Sequence, residues 1–490
     1  MHYNALIKVV VMNHTSSAAA AEIKLQVYLY SKETGSGQWQ DACSLIFDRP
    51  EEGRISPAQL EYDARYVAQH INNLDALISL RFPLDFFPHN CDIWPAFLQD
   101  IMPMGSARRF WLQKKNLSPA LEYAHDFTML SECSLSPIGN MRVAGIELET
   151  DSVKGFELND VITRDSDFID YASIAGAAIG GATGAGGEAP KFLLSEDDKG
   201  LFYPEASLPD EQIKQSYLVK FPRNNAGKFD HLVLEGEACY YKIVSALGFN
   251  TINVSELKYF PKEEAIQVEK ASLWLPRFDR YSQPDKKQID GQSLEGRYCI
   301  ERYGVESLYS LQGVTQAGAT IPHTEYLTSL IQYWYQNGQE ADVREMAIEY
   351  LQRDLLNVVL GNVDNHGRNT SVLKKHGKLS LAPIYDLAPM VLDPEGIIRT
   401  SRWSKQNELG GEFNWWGICE EIADMSKDVS SIEITAEWLW QGLQQCAQKL
   451  RKIPRLAKKF GLTTEITQHP KINLDKLDTK LAKWGFDLNE

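Results

Sequence analysis

The sequence predicts an α+β protein with two lobes, in which a β-rich N-terminal part is followed by a mostly helical C-terminal part. Near the start, EIKLQVYLYS alternates apolar and polar residues, as expected of a half-buried antiparallel strand. Further on, VREMAIEYLQRDLLNVVLGN has an apolar stripe at helical spacing, which predicts a buried helix. A glycine-rich tract at residues 172–191 lies between them.

The composition excludes several classes of protein. The chain has 490 residues, 43% of them hydrophobic, so it is long enough to bury the cores of two or three globular domains. Its 66 acidic and 50 basic residues give a net charge of −16, which argues against broad affinity for nucleic acid. The seven cysteines are scattered and show no CxxC spacing, which argues against a zinc ribbon and a disulfide framework. This cysteine usage favours a reducing cytoplasm.

The first 150 residues are predicted to form a small α+β domain without catalytic chemistry of its own. Leu6–Met12 is interpreted as a first strand, because it is too short for a signal peptide with its cleavage site. No segment reaches the length of a membrane span, so we expect no membrane association. A helix is expected from about Asp92 to Ile101. The predicted domains are residues 1–150, then 151–283 with the glycine-rich tract, then 284–490 with most helices.

The tract ASIAGAAIGGATGAGGEAPK has two interpretations. Glycines let backbone N–H groups approach a phosphate closely, but Gly/Ala tracts also serve as flexible linkers. No GxxxxGK[ST] is present, and no clean G-x-G-x-x-G opens a long helix, which excludes the common nucleotide-binding loops. Strand-like runs follow at Phe192–Leu194 and Tyr217–Phe221. They favour a phosphate-covering loop, because a kinase places its nucleotide-binding lysine on a strand after such a loop.

Lys220 interrupts the second of these runs and is the candidate nucleotide-binding lysine. The alternative is that it faces solvent, as lysines within strand patterns usually do. Glu237 lies in the next predicted helix, LVLEGEACYYKIVSALGFNT, which we expect to stop at Gly248. We expect Glu237 near the first turn of this helix, where it interacts with the helix dipole or pairs with Lys220.

The predicted helix that ends near residue 360 leads into the polar turn DNHGRN, and two strand-like segments then lead to a second acid. Asp364, Asn369 and Asp386 can supply one general base and two oxygen ligands for a hard cation. Magnesium prefers oxygen ligands and usually keeps substrate phosphates among them. Kinases need a base, an Asn and an Asp of this kind for phosphoryl transfer. The alternative is a plain turn, since Asp-Asn-His-Gly is also favourable turn chemistry.

Beyond Pro389, the sequence predicts a long helix around AEWLWQGLQQCAQKLRKIPRLAKKF. Its basic cluster is either a solvated face or a docking site for an acidic partner. The cluster consists of Lys449, Arg451, Lys452, Arg455, Lys458 and Lys459.

Taken together, several segments resemble the HipA-type serine/threonine kinases, the toxins of bacterial type II toxin–antitoxin modules. They are SIAG, GGEAPKFLL, YLVKFP, LEGEACYYKIVSALG, LPRFDR, GNVDNHGRN and LAPIYDLAPM. The resemblance covers roughly residues 173–400, with a weaker echo in LEYDARYVAQ and FLQDIMPMGSARR. It implies a two-lobed, protein-kinase-like (HipA-like) α+β fold with ATP in the cleft.

Carried over residue by residue, the resemblance implies that Asp364 is the catalytic base and that Asn369 and Asp386 bind Mg²⁺. It places His366 beside the nucleotide and the segment 277–279 at a hinge near adenine and ribose. The residues implied in ATP binding are Gly184, Gly186, Gly187, Lys191, Lys220, Glu237, Arg277, Phe278, Asp279 and His366.

Family members phosphorylate a serine in or beside the glycine loop, and this switches the kinase off. The loop is lengthened here, so Ser173 and Thr183 are both candidates for autophosphorylation; the alternative is that both hydroxyls merely cap turns. Two further positions depart from the family pattern. Leu275-Pro276 replaces an acidic residue before RFDR, and the acidic motif after the hinge is only weakly visible near Glu295.

The sequence therefore predicts an ATP- and magnesium-dependent protein serine/threonine kinase, a HipA-like toxin that autophosphorylates in its glycine-rich loop. The alternative is a nucleotide-binding pseudokinase that serves as antitoxin or scaffold, although a pseudokinase has no need to keep Asp364. The resemblance implies a protein substrate, with an aminoacyl-tRNA synthetase suggested by analogy alone, and a separate antitoxin as partner. No helix-turn-helix is recognisable, so we expect no sequence-specific DNA binding by this chain.

Overall fold

The structure is a computed structural model that describes residues 20–119, 123–146, 153–164, 191–222, 227–263, 270–285, 288–289, 292–293, 297–429 and 431–488. The predicted first strand, Leu6–Met12, lies outside the described residues, as does nearly all of the glycine-rich tract. The other predicted positions outside them are Ser173, Thr183, Gly184, Gly186, Gly187 and Glu295.

The described part of the chain contains both strands and helices. The strands are β1 (Ala21–Ser31), β2 (Ser36–Phe47), β3 (Ala58–Tyr62), β4 (His89–Cys91), β5 (Met141–Val143), β6 (Lys191–Glu196), β7 (Phe202–Pro204), β8 (Gln215–Lys220), β9 (Lys258–Phe260), β10 (Ser272–Pro276), β11 (Arg280–Pro284), β12 (Gln288–Ile289), β13 (Gln292–Ser293), β14 (Tyr298–Arg302), β15 (Gly304–Ser307), β16 (Ile321–Pro322), β17 (Ser371–Lys375), β18 (Lys378–Leu381), β19 (Ser401–Arg402), β20 (Glu408–Leu409) and β21 (Glu412–Phe413). The α-helices are α1 (Ala64–His70), α2 (Leu98–Ile101), α3 (Gly105–Lys114), α4 (Asp126–Cys133), α5 (Leu158–Thr163), α6 (Lys228–Ala246), α7 (Leu308–Leu311), α8 (His323–Gln336), α9 (Val343–Leu360), α10 (Trp415–Lys427), α11 (Ala436–Leu450), α12 (Ile453–Phe460), α13 (Thr464–Thr467) and α14 (Leu477–Lys483).

The N-terminal strands form one antiparallel sheet in the order β4-β3-β2-β1-β5. Leu25 and Val27 alternate along β1 and are both 0% exposed, so the predicted half-buried strand is confirmed. The helix expected from Asp92 is shorter than predicted, because α2 begins only at Leu98. Pro95 accounts for the difference, since the residue before a proline is disfavoured in the helical conformation.

A second antiparallel sheet, in the order β7-β6-β8-β10-β9, holds the candidate lysine. Lys220 is the last residue of β8 and lies directly opposite Lys191 of β6. Residues two apart in a strand share a face, so Lys220 shares the face of Leu218, which packs against α6. Lys220 is only 5% exposed, which excludes the alternative that it faces solvent.

Helix α6 corrects the expected position of Glu237. The helix has 19 residues and begins at Lys228, after a capping interaction in which the Gly227 N–H donates to Asp230 Oδ2 at 3.0 Å. Glu237 therefore lies in the middle of the helix and not in its first turn, so an interaction with the helix dipole cannot explain it. Gly248 follows the helix end with a positive φ of 83°, as the sequence predicts.

The C-terminal lobe surrounds one large apolar core that includes the fully buried Leu351 and Leu355 of α9. The two strands expected after the polar turn are present as β17 and β18. The long helix expected near the C-terminus is two helices, α11 and α12, because Pro454 lies in the first turn of α12. Across the residues that the structure describes, no helix is long and apolar enough to cross a membrane.

Candidate active site

The polar turn at residues 364–369 follows α9, whose end is set by Gly361. This glycine has a φ of 67°, and Ile472 and Val391 leave no room for a side chain there. Within the turn, Asn369 Nδ2 donates to the Asp364 carbonyl oxygen at 2.7 Å, and the Asn369 N–H donates to the His366 carbonyl at 2.9 Å. These two hydrogen bonds lie within the turn and fix the position of Asn369 relative to Asp364.

The oxygen of the Asn369 side chain is the strongest sign of a cation site. Asn369 Oδ1 is buried and accepts no hydrogen bond from any described residue, while the Nδ2 of the same amide is engaged. Buried polar atoms in folded proteins are nearly always paired, so an unpaired oxygen indicates a missing partner. A cation that prefers oxygen ligands fits this position. Within the described ranges, no group of three or more His, Cys, Asp or Glu side chains could hold a metal by itself.

Asp386 comes to the same site from the loop after β18. Lys220 donates to Asp386 Oδ1 in a short contact, and its Nζ also lies 2.6 Å from Glu237 Oε1. Tyr241 links both acids, because its hydroxyl donates to Glu237 Oε1 at 3.1 Å and accepts the Asp386 N–H at 2.7 Å. Lys220 therefore bridges an acid on α6 and an acid from the C-terminal lobe.

The charges of this cluster follow from its burial and its ion pairs. Burial by itself would raise the pKa of Asp386, but the ammonium groups of Lys220 and Lys191 hold it below its ordinary value. Burial would lower the pKa of Lys220, but Asp386 and Glu237 raise it above its ordinary value. Asp386 is therefore ionised and Lys220 is charged at neutral pH.

Asp364 has different electrostatic surroundings. Burial raises the pKa of its carboxyl group, and the nearby charge of Asp386 raises it further, while His366 acts in the opposite direction. His366 Nε2 lies 3.4 Å from Asp364 Oδ1, and its Nδ1 accepts the Arg368 N–H at 3.3 Å. The hydrogen bond at Nδ1 leaves the ring proton on Nε2, which faces Asp364. A carboxylate with a raised pKa is better suited to accept a proton from a hydroxyl group.

Two adjoining cavities share Lys220 and Asp386. One is lined by Lys191, Lys220, Glu237, Asp364 and Asp386, so the charged residues predicted from distant parts of the sequence meet around one cleft. The other is mainly apolar and has the composition expected for a planar base. Its lining includes Leu218, Ile252, Leu275, Pro276, Phe278 and Tyr385.

The predicted hinge residues line this apolar pocket, but the side chains of Arg277 and Asp279 bond to each other and to other protein groups. Arg277 Nε donates to Asp279 Oδ1 at 2.8 Å, and Arg277 Nη1 lies 3.7 Å from Glu205 Oε2. Asp279 Oδ2 also accepts the Gly139 N–H at 2.8 Å. Phe278 stacks on Tyr385, with ring centroids 5.4 Å apart. Arg277 and Asp279 thus shape the hinge, and contact of Phe278 with adenine stays a prediction.

His366 is 4% exposed and stacks on Tyr309, with centroids 6.1 Å apart. It lies against Asp364 and is not among the residues that line either cavity. The prediction that it lies beside the nucleotide therefore stays a prediction.

The loop after Asp386 reaches the polar turn through residues that sequence reasoning missed. Asn365 Nδ2 donates to the Ser401 carbonyl at 2.9 Å. Nearby, Arg399 Nη2 lies 2.9 Å from Asp354 Oδ1 of α9 and fixes the same loop to the core. Sequence reasoning also missed the hydrogen bonds of the Tyr241 hydroxyl. Its position four residues after Glu237 on the same helix could have indicated the contact between these two side chains.

Residues 183–450, more than half of the chain, match the family model described as HipA-like C-terminal domain. The chain belongs to the HipA family. The predicted HipA-like, two-lobed α+β fold is confirmed by this match and by a structure of HipA from Shewanella oneidensis MR-1. That HipA, in complex with HipB and operator DNA, matches with a TM-score of 0.57 and 16% identity over 95% of this chain and 98% of that chain.

A second solved structure, the proinflammatory kinase CtkA of Helicobacter pylori, matches this HipA-family chain with a TM-score of 0.34 and 14% identity. It covers 61% of this chain and 90% of that chain. No curated protein matches the sequence.

Proposed function

We propose that this HipA-family protein is a protein serine/threonine kinase that transfers the γ-phosphoryl group of ATP to a hydroxyl group. The observation that supports this best is that Lys220, Glu237, Asp364 and Asp386 line one cleft although they lie far apart in the sequence. A nucleotide-binding protein without catalysis would need the lysine and the apolar pocket. It would not need Asp364 with a raised pKa beside them.

In the proposed reaction, Asp364 accepts the proton of the acceptor hydroxyl as its oxygen attacks the γ-phosphorus. The bond between the γ-phosphorus and the β–γ bridging oxygen breaks, and ADP leaves with the electron pair. The ring of His366 faces Asp364 Oδ1 and holds the carboxylate in orientation. Lys220 and Lys191, opposite each other on adjacent strands, contact the phosphates.

Magnesium would be held by Asn369 Oδ1 and Asp386 together with phosphate oxygens. When bound, it neutralises the charge that develops on the phosphates. The unpaired oxygen of Asn369 and the low pKa of Asp386 both suit this role.

We also infer that the kinase modifies Ser173 or Thr183 in its glycine-rich tract. A phosphate adds close to two negative charges at about pH 7. On a loop that covers the phosphates of ATP, these charges would repel the nucleotide and lower its affinity.

The biological role that we propose is that of a toxin with a protein antitoxin as partner. The Shewanella HipA that shares this fold was solved with HipB and operator DNA. The proposed protein substrate is a cellular protein, with an aminoacyl-tRNA synthetase as the first candidate to test.

Incubation with γ-labelled ATP and magnesium tests the reaction. We expect labelled phosphate on an acceptor protein or on the chain itself, with the chain's own label mapping to Ser173 or Thr183 by mass spectrometry. Asp364→Asn should lower transfer by at least about 100-fold, since general base catalysis contributes roughly 100- to 10,000-fold. Asp424→Asn is the matched control, because the Asp424 side chain is 77% exposed.

Equal label on the wild type and Asp364→Asn would discard the base assignment. Phosphate found only outside residues 173–191, or a phosphorylated protein that binds ATP as before, would contradict the loop mechanism.

A further inference from the structure

The residues of the polar turn divide into two sets by the direction of their side chains. Asp364 lines the cleft, and Asn369 is hydrogen-bonded to the Asp364 carbonyl oxygen. Arg368 lies between these two residues in the sequence, but it lines neither cavity. It is 1% exposed, and its Nη2 donates to Gln99 Oε1 in the N-terminal domain, 269 residues away along the chain.

The backbone of Arg368 is hydrogen-bonded to residues next to Asp364 and Asp386. Its N–H donates to His366 Nδ1 at 3.3 Å, and its carbonyl accepts the Tyr385 hydroxyl at 2.5 Å. His366 contacts Asp364, and Tyr385 directly precedes Asp386. A shift of Arg368 would therefore move the base and the second acid relative to each other.

Gln99, which accepts the hydrogen bond from Arg368, lies in a well-packed part of the N-terminal domain. Gln99 is 2% exposed and lies in α2, whose neighbours Leu98 and Ile101 belong to the core of the N-terminal sheet domain. The next residue, Asp100, accepts the Ser307 N–H at 2.9 Å and the Ser307 hydroxyl at 2.8 Å. These contacts fix the N-terminal domain to the C-terminal lobe beside the point where Arg368 enters.

Among the described residues, Gln99 is the only hydrogen-bond partner of this guanidinium. Arg368 Nε and Nη1 make no hydrogen bond to any residue that the structure describes, and the same holds for Gln99 Nε2. Asp100 supplies the favourable charge, while burial lowers the pKa of the guanidinium. The orientation of Arg368 therefore depends on its hydrogen bond to Gln99, on the charge of Asp100 and on its contact with the Tyr309 ring, 5.8 Å from Arg368 Cζ.

We propose that Gln99 and Arg368 are positioning residues, through which the N-terminal domain sets the geometry of the catalytic turn. This proposal rests on the proposed kinase activity. It assigns to the N-terminal domain a part in catalysis, although none of its described residues lines the cavity that contains Asp364. Gln99→Leu removes the acceptor while it nearly preserves the side-chain volume.

We expect Gln99→Leu to lower kcat by about 10- to 100-fold, because a displacement of about 1 Å at a catalytic group has an effect of this size. The Kd for ATP should change by less than about twofold, since the phosphate and base pockets contain neither residue. Arg368→Met should give a similar loss, and the double variant should be no worse than either single variant. Gln99→Glu keeps an acceptor for the guanidinium and should retain most of the activity.

The control is Gln59→Leu. Gln59 lies in the same domain and donates to Asn90 at 2.8 Å on the surface, so its replacement should leave kcat unchanged. Unchanged kcat in a folded Gln99→Leu protein would overturn the proposal. So would losses that add in the double variant, or a Gln99→Glu protein as inactive as Gln99→Leu.

Hydrogen exchange separates this proposal from the proposed function. The backbone amides of Arg368 and Asn369 are hydrogen-bonded within the turn, and they should exchange faster in Gln99→Leu than in wild type. If the wild type transfers no phosphate, the proposed function fails, and the exchange rates still decide whether Gln99 holds the turn. Equal exchange in both proteins would overturn the positioning role.

Discussion

At the scale of single residues, the capacity of the site to bind a cation depends on one unpaired amide oxygen and one ionised carboxylate. Asn369 uses its Nδ2 within the turn and leaves Oδ1 free of any described partner, whereas Asp386 is held ionised by two lysines. An amide oxygen without a described partner and an ionised carboxylate are both ligands that suit a cation with phosphate oxygens in its coordination shell.

Asp386→Ala separates the proposed cation site from nucleotide binding. Lys220 keeps Glu237 as a partner at 2.6 Å in this variant, so ATP should still bind measurably by calorimetry. Transfer should fall by at least about 100-fold, since charge stabilisation at the phosphates is lost. Asp424→Ala, on the exposed surface, is the control. Unchanged transfer at limiting magnesium would remove Asp386 from the site.

The buried side chain of His323 should make the stability of the protein depend on pH. Burial lowers its pKa from 6.5 to about 4, and Arg399 acts in the same direction, while Asp354 acts against it. Its Nδ1 bonds to the Tyr350 hydroxyl at 2.7 Å, and Trp403 stacks on its ring. Between these two pKa values the unfolded chain binds more protons than the folded chain, so the free energy of unfolding falls as pH decreases from 6.5 to 4.

The fall due to His323 should be about 3 kcal/mol over this range, because each pKa unit corresponds to about 1.4 kcal/mol. Urea unfolding at pH 7 and pH 4.5 measures it. His323→Gln should show a smaller loss of stability between the two conditions than the wild type. Equal losses in both proteins would show that another group causes the acid sensitivity.

At the scale of elements, the loop between Asp386 and α10 is fixed by a buried ion pair. Arg399 Nη2 lies 2.9 Å from Asp354 Oδ1, and Trp403 Nε1 donates to Asp354 Oδ2 at 2.8 Å. The same loop then forms a parallel pair with β16 and bonds to Asn365 of the polar turn. These contacts fix the loop to α9 and to the polar turn that contains Asp364.

Arg399→Leu should destabilise the protein by about 3–5 kcal/mol, because it leaves the buried Asp354 without its cation. Adding Asp354→Asn to this variant should recover part of the loss. Lys427→Met is the matched control, since Lys427 pairs with Asp424 where the two side chains are 70% and 77% exposed. Ion pairs this exposed contribute little to stability. A loss for Arg399→Leu no larger than for Lys427→Met, measured by urea unfolding, would contradict this account.

At the scale of the whole molecule, buried polar contacts join the N-terminal domain to the C-terminal lobe. Glu306 accepts the Ser79 hydroxyl at 2.5 Å and the Leu80 N–H at 2.9 Å. Lys374 donates to the Leu77 carbonyl at 2.6 Å. Because polar groups buried between domains are costly to expose unpaired, these contacts hold the two parts in a defined orientation.

The net charge of −16 leads to a prediction for the whole molecule. The chain alone should give no sequence-specific shift of DNA from its own promoter at about 150 mM salt, since an acidic protein gains little from releasing counterions of DNA. A gel-shift titration with a scrambled duplex as control measures this. A tight shift of the promoter over the scrambled duplex would show that this chain itself reads DNA.

The sequence by itself determined the elements and residues whose signals are local. The alternation in β1, the apolar stripe of α9 and the turn that places Asp364 five residues before Asn369 all depend on neighbours along the chain, and so could be predicted. The start of α6 was misplaced, because helix ends depend on capping contacts such as Gly227 with Asp230 more than on apolar spacing.

Only the tertiary structure decided which of these residues meet. The contacts of Lys220 with Glu237 and Asp386, and of Arg368 with Gln99, join segments 17, 166 and 269 residues apart. Periodicity predicts which face of a helix or strand is buried, but it does not say which other segment covers that face. That choice is made by the packing of whole elements, because the free energy of burying apolar surface does not depend on the order of residues along the chain.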